Sequence, residues 1–280
     1  VLVEAFDPGL VLELIEAYDG AAMLGVPTML LAMLEHPDFA TRDLSAIDAI
    51  CSGGSTVPAA LVERLERELK APFTIVFGQT ELSPVSSMTH TTDTIEDKAS
   101  TIGNAMPHVE VKIIDPETGE TVPPDTVGEY CARGYLVMHG YYEMPDATAE
   151  TIDADGWLHT GDLAAMDERG YISIEGRLKD MIITGGENVY SSEVEAALHQ
   201  HPAVSEAAVI GVADEKLGEA LFAVIVLREN MVVDEMELIE HCRPLIGAYK
   251  IPRNYAFVEV LPKSALGKPL KGELRKTFGT

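Results

Sequence analysis

The first part of the chain alternates short apolar runs with segments whose apolar side chains recur every three or four residues, as on one face of a helix. Strands that alternate with helices of about ten residues are typical of a parallel sheet with crossover helices. We therefore predict an α/β segment over residues 1–98. Its predicted elements are helix 8–18, strand 21–26, helix 27–36, strand 47–51, helix 58–70 and strand 73–77.

Short apolar runs separated by turn residues replace this alternation over residues 99–176. The turn residues are clearest from Asp115 to Gly119, where proline and glycine stand between two apolar runs. Short strands joined by such turns predict a small antiparallel β-barrel or sandwich. The strands predicted here are 109–114, 128–133, 136–140 and 171–175.

A connector over residues 176–190 leads into a third region. It contains a cationic pair, Arg177 and Lys179, and a short apolar run before Gly185 and Gly186. Two successive glycines predict a tight turn, because glycine accepts a positive φ without steric cost. We assign a hinge to residues 177–180.

The rest of the chain, residues 181–280, is predicted to be a C-terminal α+β domain. Ser192 and Glu195 have the spacing of a capping box, which predicts that a helix starts there. The predicted elements are helix 192–200, strands 203–212 and 220–227, helix 234–247, strand 255–260 and a short helix from residue 272.

Acidic residues outnumber basic residues 46 to 20, which gives a net charge of −26. The excess lies in residues 1–176, with 31 acidic and 8 basic side chains, whereas residues 177–280 have 15 and 12. A nucleic-acid partner would need a basic face to neutralise phosphates, so the charge excludes that class. The acidity is interpreted as a solvated surface, and the second part of the chain is the better place for anionic ligands.

The cysteines at positions 51, 131 and 242 are far apart and odd in number. They indicate neither a disulfide framework nor a zinc site, so a reducing, cytoplasmic compartment fits best. No apolar run has the length of a membrane span, so we expect no integral membrane segment. The 8 histidines show no metal-ligand spacing on one helix, and no Gly-x-Ser-x-Gly elbow of a hydrolase occurs.

Two loops follow predicted strands of the parallel sheet, at the edge where such sheets bind ligands. The first contains Gly53 and Gly54, although a glycine pair is more often plain turn geometry than a ligand cradle. In the second, Gly78 lets the backbone approach a ligand, Thr80 offers a hydroxyl and Glu81 offers a carboxylate oxygen. A hydroxyl beside a carboxylate is the set that a magnesium-bound phosphate requires.

Three further side chains have both a structural and a functional interpretation. Phe77 offers an apolar face for an aromatic base, although an isolated phenylalanine is more simply a core residue. Asp162 lies in a turn, where carboxylates commonly bond the local backbone, and it could also accept ribose hydroxyls, with Arg177 opposite. Lys268 is by default a solvated lysine, but Gly267 and the following proline place it on a constrained loop that could present it to a carboxylate or phosphate.

Six motifs stand in a fixed order along the chain. They are GVPTM at 25–29, SGGS at 52–55, FGQTE at 77–81, GWLHTGDLA at 156–164, GRLKDMIITGGENVY at 176–190 and PKSALGKPLK at 262–271. The ordered set resembles the adenylate-forming superfamily of acyl- and aryl-CoA synthetases, luciferases and peptide-synthetase adenylation domains, and within it the fatty acyl-CoA synthetase branch. The resemblance implies an AMP-forming ligase that joins a carboxylic acid, here a medium- to long-chain fatty acid, to AMP and then to coenzyme A. The cofactors that it implies are ATP or AMP, Mg²⁺ and coenzyme A.

Residue roles are also carried over from the resemblance, motif by motif. The implied ATP site comprises Gly53, Gly54 and Ser55 lining the adenine, Phe77 stacking on it, Gly78 and Gln79 in the same loop, Thr80 on the α-phosphate, Glu81 as magnesium ligand, and Asp162 and Arg177 on the ribose. Lys268 would stabilise charge on the reacting carboxylate and phosphate, so that Thr80, Glu81 and Lys268 form the implied catalytic set.

The resemblance further implies a second half-reaction with coenzyme A. Lys179 would be the pivot about which the C-terminal domain reorients, and Gly185, Gly186 and Glu187 would then line the pantetheine channel. For the phosphates of coenzyme A the candidates are Arg243, Lys250 and Arg253, and for the acyl pocket wall they are Val26 to Met29 with Ser83, Pro84 and Val85.

Two departures from the family pattern stand out. The family's phosphate-binding loop, a Ser/Thr/Gly-rich run ending in Pro-Lys-Gly, has no counterpart here, so we expect an incomplete fragment that does not catalyse adenylation alone. Ser191 stands where many relatives carry proline, with little effect expected on the following helix. The alternatives are a luciferase-like oxidase, a peptide-synthetase-type adenylation module and a non-catalytic nucleotide-binding fragment; the Gly-Gly-Glu-Asn turn favours CoA ligases over the peptide-synthetase modules.

Overall fold

The computed structural model describes residues 3–55, 57–264 and 268–279 of the 280-residue chain. These residues form two compact units. The first unit comprises the residues up to Thr160 together with Ala164–Ile174, and the second comprises Gly161–Leu163 and the residues from Glu175 onward. No helix of the described ranges is both long and apolar enough to cross a membrane. The domain boundaries expected at residues 98, 176 and 180 stay predictions.

The first unit contains a five-stranded sheet with the strand order β1-β2-β3-β4-β5. Its first three strands are parallel, as the alternation of strands and helices predicted, and β4 and β5 add to the edge in antiparallel fashion. The strands are β1 (Ala22–Leu24), β2 (Ala49–Gly53), β3 (Phe73–Phe77), β4 (Ser87–Met88) and β5 (Asn104–Ala105). The helices are α1 (Pro8–Tyr18), α2 (Pro27–Leu34), α3 (Ala59–Leu69) and α4 (Ile95–Ser100).

Apolar side chains of these helices and strands form one core. Leu12 of α1, Leu30 of α2, Val62 and Leu65 of α3, and Phe73 of β3 all have 0% exposure within it. Burying an aliphatic or phenyl side chain contributes about 1.5–3 kcal/mol. The core therefore fixes the helices against the sheet whose strand ends carry the glycine loops.

A four-stranded sheet with the order β6-β7-β8-β9 follows in the chain. The antiparallel sheet expected here as a small barrel or sandwich has β6 and β9 at its edges, and the described residues do not close it into a barrel. β6 and β7 are antiparallel. The elements are β6 (Val109–Ile114), β7 (Gly128–Gly134), α5 (Pro145–Thr151), β8 (Leu158–Met166) and β9 (Ile172–Arg177).

The strand predicted over residues 136–140 is wrong, because this segment is an irregular connection. Its backbone finds partners outside a sheet: the N–H of Val137 donates to the carbonyl of Gly134 at 3.3 Å, and the N–H of Met138 donates to the carbonyl of Glu81 at 2.9 Å. Gly140 then takes a φ of 146°. Short apolar runs satisfy a strand pattern by sequence alone, so tertiary partners decide their structure.

The second unit contains a five-stranded sheet in which β11, β10, β13 and β12 are successive neighbours and β14 pairs with β13. β12 and β13 form a long antiparallel hairpin, and β14 lies parallel to β13. The strands are β10 (Met181–Thr184), β11 (Glu187–Tyr190), β12 (Val204–Asp214), β13 (Gly218–Leu227) and β14 (Asn254–Phe257). The helices are α6 (Ser191–His199), α7 (Glu235–Cys242) and α8 (Lys271–Phe278).

Both faces of this sheet are covered, which explains why β12 reads as a nearly continuous apolar run. Successive strand residues point to opposite faces. Val209 therefore belongs to the core that holds Leu198 of α6, whereas its neighbour Ile210 belongs to a separate core with Leu274 of α8. A strand buried on both faces loses the alternation of apolar and polar residues that marks a half-buried strand.

The helix predicted over residues 234–247 is too long, since α7 ends at Cys242. Pro244 has no N–H with which to continue the helical ladder. The backbone forms a turn there instead, in which the N–H groups of Leu245 and Ile246 both donate to the carbonyl of Cys242, each at 3.0 Å.

The predicted capping box at the start of α6 is also wrong. The Ser192 hydroxyl donates to the carbonyl of Glu175. Glu195 Oε1 accepts from the N–H of Val209 at 2.7 Å and from Nζ of Lys271 at 2.7 Å. Both side chains are thus used in tertiary hydrogen bonds, which outweigh the local cap.

A buried lysine connects three elements of the first unit. Lys98 of α4 is 2% exposed, and its Nζ donates to Oε1 of Glu66 at 2.8 Å and to the carbonyl of Thr91 at 3.0 Å. The same Glu66 oxygen accepts from the N–H of Phe73 at 3.0 Å. Glu66 of α3 therefore holds both α4 and the start of β3.

The change Glu66→Ala leaves the Lys98 ammonium buried with a carbonyl in place of its counter-ion. We expect the free energy of unfolding of the first unit to fall by about 3–5 kcal/mol. Urea denaturation followed by the fluorescence of Trp157, the only tryptophan of the chain, measures this transition. Glu63→Ala, at an exposed position of the same helix, is the matched control with an expected change within about 0.5 kcal/mol. Coincident denaturation curves for the two variants would contradict the role given to Glu66.

Candidate functional site

The glycine loop after β2 is fixed by close backbone packing. A Cβ on Gly53 would overlap the carbonyl oxygen of Val76 on the neighbouring strand, so only glycine fits. Gly54 has a φ of 81°, and both Gly54 and Ser55 are exposed. A Cβ built on Gly54 would lie 3.8 Å from Cγ1 of Val26, which places a residue of the expected acyl wall beside this loop. The loop thus offers exposed backbone at the carboxyl end of a buried strand.

The second loop follows β3 and has the same construction. A Cβ on Gly78 would overlap the carbonyl oxygen of Pro84, so the loop folds back closely on itself. After Gln79 the chain makes a 3₁₀ turn over Thr80–Leu82, in which Leu82 is fully buried and Thr80 is exposed. A buried leucine anchors the turn, and the threonine hydroxyl is left facing solvent.

The aromatic ring of Phe77 lies at the end of β3, where it is half-buried. It packs edge to face against Tyr130, with ring centroids 5.3 Å apart and planes at 70°. The structure therefore shows the core contact of Phe77, and its stacking on a base stays a prediction.

Glu81 is held by a segment that sequence reasoning did not connect with it. Its carboxylate oxygen Oε1 accepts a hydrogen bond from the Tyr141 hydroxyl at 2.9 Å, and its backbone carbonyl accepts from the N–H of Met138 at 2.9 Å. The hydrogen bond to Glu81 raises the pKa of Tyr141, because ionisation of the phenol would break this bond and place a second negative charge beside the carboxylate. Tyr141 thus remains a donor to this carboxylate at neutral pH.

Asp162 and Arg177 form a close ion pair within the second unit. Nε of Arg177 lies 2.9 Å from Oδ1 of Asp162, whose side chain is 7% exposed against 49% for the arginine. Burial raises the pKa of Asp162, and the positive charges of Arg177, Lys268 and Lys179 partly offset that rise. The sequence named both residues for a ribose, a role that stays a prediction, and the structure adds a direct contact between them.

The expected hinge is a 3₁₀ turn over Leu178–Asp180, with Lys179 exposed. Arg275 of α8 fastens this turn, since its Nη2 donates to Oδ1 of Asp180 at 2.9 Å and to the carbonyl of Lys179 at 3.4 Å. The turn is therefore tied by its backbone and by Asp180, and the lysine side chain projects from it. The pivot role of Lys179 stays a prediction.

The Gly185-Gly186 pair forms the loop of a two-residue β-hairpin. Thr184 of β10 pairs with Glu187 of β11, and the two glycines between them have φ values of 60° and 86°. Positive φ at both central residues is the pattern of a type I′ turn, which matches the twist of the flanking strands. Glu187 follows the turn as an exposed residue.

Lys268 is exposed and lies on a short antiparallel bridge between Lys263 and Pro269. Its carbonyl accepts from the N–H of Ser264 at 2.9 Å, and its own N–H donates to the Ser264 hydroxyl at 3.2 Å. The constraint expected from Gly267 lies outside the described residues. The backbone of Lys268 is nevertheless held by these two hydrogen bonds with Ser264.

The basic residues considered for coenzyme A differ in their contacts. Nζ of Lys250 lies 2.6 Å from a carboxylate oxygen of Glu193, so its charge is already compensated. Arg243, at the end of α7, and Arg253 are exposed. The two arginines are therefore the better candidates for a phosphate.

A polar cluster that the sequence did not reveal joins β7 and β8. Ligand-type atoms of Glu129, Cys131 and His159 lie within 4.8 Å of one another. His159 Nδ1 lies 2.9 Å from Oε2 of Glu129, and burial raises the pKa of the Cys131 thiol to about 12. A histidine bonded to glutamate beside a neutral thiol is a satisfied internal contact, and residues on separate strands give no spacing signal in sequence.

Comparison with known proteins identifies the family to which this chain is similar. The AMP-binding enzyme family model matches residues 1–142, and the model of the AMP-binding enzyme C-terminal domain matches residues 193–268. YngI of Bacillus subtilis, which bears the name putative acyl-CoA synthetase, is 46% identical over 275 residues, 98% of this chain and 50% of YngI. The rat protein named medium-chain acyl-CoA ligase ACSF2, mitochondrial, is 42% identical over 266 residues, 95% of this chain and 43% of that protein.

A solved structure agrees with these relatives. The o-succinylbenzoate CoA synthetase of Bacillus subtilis, in complex with its acyl-adenylate intermediate, superposes with a TM-score of 0.87 at 33% identity. The match covers 98% of this chain and 55% of that protein. The chain thus spans about half the length of the curated relatives it matches. With its two family matches and its mixed parallel and antiparallel sheets, the chain belongs to the AMP-binding enzyme family, the adenylate-forming superfamily.

Proposed function

We propose that the protein containing this chain is an AMP-forming ligase that activates a carboxylic acid and transfers it to coenzyme A. The observation that carries the proposal is the Asp162–Arg177 pair. It places a buried carboxylate, with two acceptor oxygens, beside a half-exposed guanidinium. A buried acceptor with a charged neighbour suits the two hydroxyls of a ribose, and hydrogen bonds to charged groups contribute about 1.5–3 kcal/mol each.

The proposed reaction has two displacements. A carboxylate oxygen attacks the α-phosphorus of ATP, and pyrophosphate leaves with the electron pair of the bond that breaks. The sulfur of coenzyme A then attacks the acyl carbon, AMP leaves, and the thiol proton passes to solvent. Charge develops on phosphate oxygens in the first step, so fixed positive groups and hydrogen-bond donors are the main means of stabilisation.

Thr80 and Glu81 are the residues that would hold the phosphate and its magnesium ion. Thr80 is exposed beside Glu81, and the oxygen atoms of a hydroxyl and a carboxylate are ligands that Mg²⁺ prefers. Tyr141 binds Oε1 of the carboxylate. The bound ion would neutralise phosphate charge. Within the same proposal, Gly53 with the exposed residues Gly54 and Ser55, and the face of Phe77, form the adenine site.

The proposed substrate is a fatty acid of medium to long chain. Support comes from the names of the relatives, one of which is a medium-chain acyl-CoA ligase. The expected pocket wall includes Val26 and Pro27, both half-buried and apolar. For location, the cytoplasm stays a prediction, and the rat relative is named as mitochondrial.

A substrate screen tests the proposal. The full-length protein that contains this chain is supplied with ATP, Mg²⁺, coenzyme A and straight-chain carboxylic acids of increasing length, and AMP and thioester are measured. We expect both products in equal amounts, with the largest kcat/KM for medium or long chains. Formation of AMP without thioester, or consumption of oxygen, would favour the adenylation module or the oxidase instead.

Lys268 is expected to act in the first displacement. Lys268→Ala should slow acyl-adenylate formation by about 10²- to 10³-fold, the usual effect of removing one charge-stabilising group. Thioester formation from supplied acyl-adenylate should change far less, since the α-phosphorus is not attacked in that step and AMP is a good leaving group. Lys276→Ala, whose side chain is 80% exposed, is the matched control. Equal losses in the two half-reactions would contradict this assignment.

Asp162→Asn separates binding from stability in the 280-residue chain. We expect the Kd of AMP to rise by about tenfold or more, since charge-assisted hydrogen bonds to the ribose are weakened. The free energy of unfolding should stay within about 1 kcal/mol, because Arg177 is half-exposed and is not left as a buried charge. Calorimetry with AMP and urea denaturation measure the two quantities. Glu215→Gln, at an exposed position of the same unit, controls for the lost charge.

The pH dependence of stability follows from the same residue. Its folded pKa lies above the ordinary 3.8, so the folded state binds the proton more tightly than the unfolded state. Ionisation of Asp162 therefore lowers stability as the pH rises from 3.8 through the raised pKa. Asp162→Asn should lose this component in urea titrations at successive pH values. An unchanged slope, or undetectable AMP binding by the unaltered chain, would contradict the account of this pair.

A further inference from the structure

We propose that Tyr141 is a positioning residue for the Glu81 carboxylate, which it orients so that one oxygen is presented to the magnesium ion of the nucleotide. The inference rests on the proposed function, in which Glu81 is the metal ligand. Tyr141 lies outside the motifs that carry the family resemblance.

The contact is specific to one carboxylate oxygen. The Tyr141 hydroxyl donates to Oε1 of Glu81 at 2.9 Å. The backbone of Glu81 is fixed from the same side, because its carbonyl accepts from the N–H of Met138 at 2.9 Å. With backbone and Oε1 both bound, rotation of the carboxylate is restricted, and Oε2 has a defined direction.

Tyr141 is itself held by a helix of the first unit. Its N–H donates to Oγ1 of Thr148 in α5 at 2.9 Å, and that hydroxyl donates to the carbonyl of Met144 at 2.9 Å. Gly140 lies directly against the same threonine, since a Cβ there would approach Thr148 Cγ2 to 2.8 Å. A chain of hydrogen bonds thus runs from a regular helix through Thr148 and Tyr141 to Glu81.

The coordination chemistry of Mg²⁺ explains why these contacts matter for binding the ion. Mg²⁺ requires nearly ideal octahedral geometry and tolerates misplaced ligands poorly. A carboxylate that is free to rotate pays an entropic cost when it binds the ion, whereas one oriented by a donor does not. A phenol suits the task because its hydroxyl can donate one directed hydrogen bond to a carboxylate oxygen. Groups that orient metal ligands typically change metal affinity by about 10- to 100-fold when removed.

The test compares Tyr141→Phe with Tyr142→Phe in the full-length protein that contains this chain. The second change removes a hydroxyl from the adjacent residue, which is 87% exposed. Binding of Mn²⁺ in the presence of ATP is followed by electron paramagnetic resonance, and the Mg²⁺ dependence of acid-dependent pyrophosphate release is followed kinetically. We expect Tyr141→Phe to raise the Mn²⁺ Kd and the half-saturating Mg²⁺ concentration by about tenfold or more, with the control unchanged.

A double-mutant cycle with Glu81→Gln tests whether Tyr141 acts through the carboxylate. Tyr141→Phe should have little further effect on Mn²⁺ binding in the Glu81→Gln background, because residues that act through one contact are not additive. Additive effects, or equal Mn²⁺ affinity for the two tyrosine variants, would overturn the inference. If the unaltered protein binds Mn²⁺-ATP but releases no pyrophosphate, the proposed function is rejected. The Mn²⁺ affinities of the variants would then still decide whether Tyr141 positions Glu81.

Discussion

Close packing of backbone on backbone at the carboxyl ends of β2 and β3 is the constraint on which the first unit's site depends. Gly53 and Gly78 stand where a Cβ would overlap a carbonyl oxygen, of Val76 in one case and of Pro84 in the other. Larger side chains at these positions would push the strand ends and the following loop apart. The two glycines therefore fix the loops, and the loops fix where the Thr80 hydroxyl and the Glu81 carboxylate are presented.

The second unit contains a buried carboxylate, Asp162, whose charged form is disfavoured by burial and favoured by nearby cations. Burial raises the pKa of Asp162, and Arg177 with two lysines opposes that rise. Such a residue is a poor choice for stability, because removing a carboxylate from water costs free energy that a half-exposed arginine only partly returns. Its presence is understandable if the carboxylate serves a ligand. Arg275 donates a hydrogen bond to Asp180 in the turn that follows β9. This contact fixes the turn, whereas the side chain of Lys179 remains exposed.

Local pattern predicted much of the fold, and tertiary contacts account for what it missed. The bounds of α1, β3 and β6 agree with the sequence residue for residue, because each has a clear period and ends at a turn or proline. The capping box failed because Glu195 is bonded to Val209 and Lys271, and a local motif cannot register such partners. The Tyr141–Glu81 contact joins residues 60 positions apart, which no spacing rule can reveal. The family itself followed from six motifs in order, and the roles given to individual residues stay predictions.

The proposed formation of an adenylate from a carboxylic acid is tested most directly by the fate of the carboxylate oxygens. A fatty acid labelled with oxygen-18 in its carboxylate is incubated with ATP, Mg²⁺, coenzyme A and the full-length protein that contains this chain, and AMP and pyrophosphate are analysed by mass spectrometry. We expect a single labelled oxygen in AMP and none in pyrophosphate, because the carboxylate oxygen that attacks the α-phosphorus leaves with AMP. Label in a terminal phosphate, or thioester formation with unlabelled AMP, would contradict the proposal.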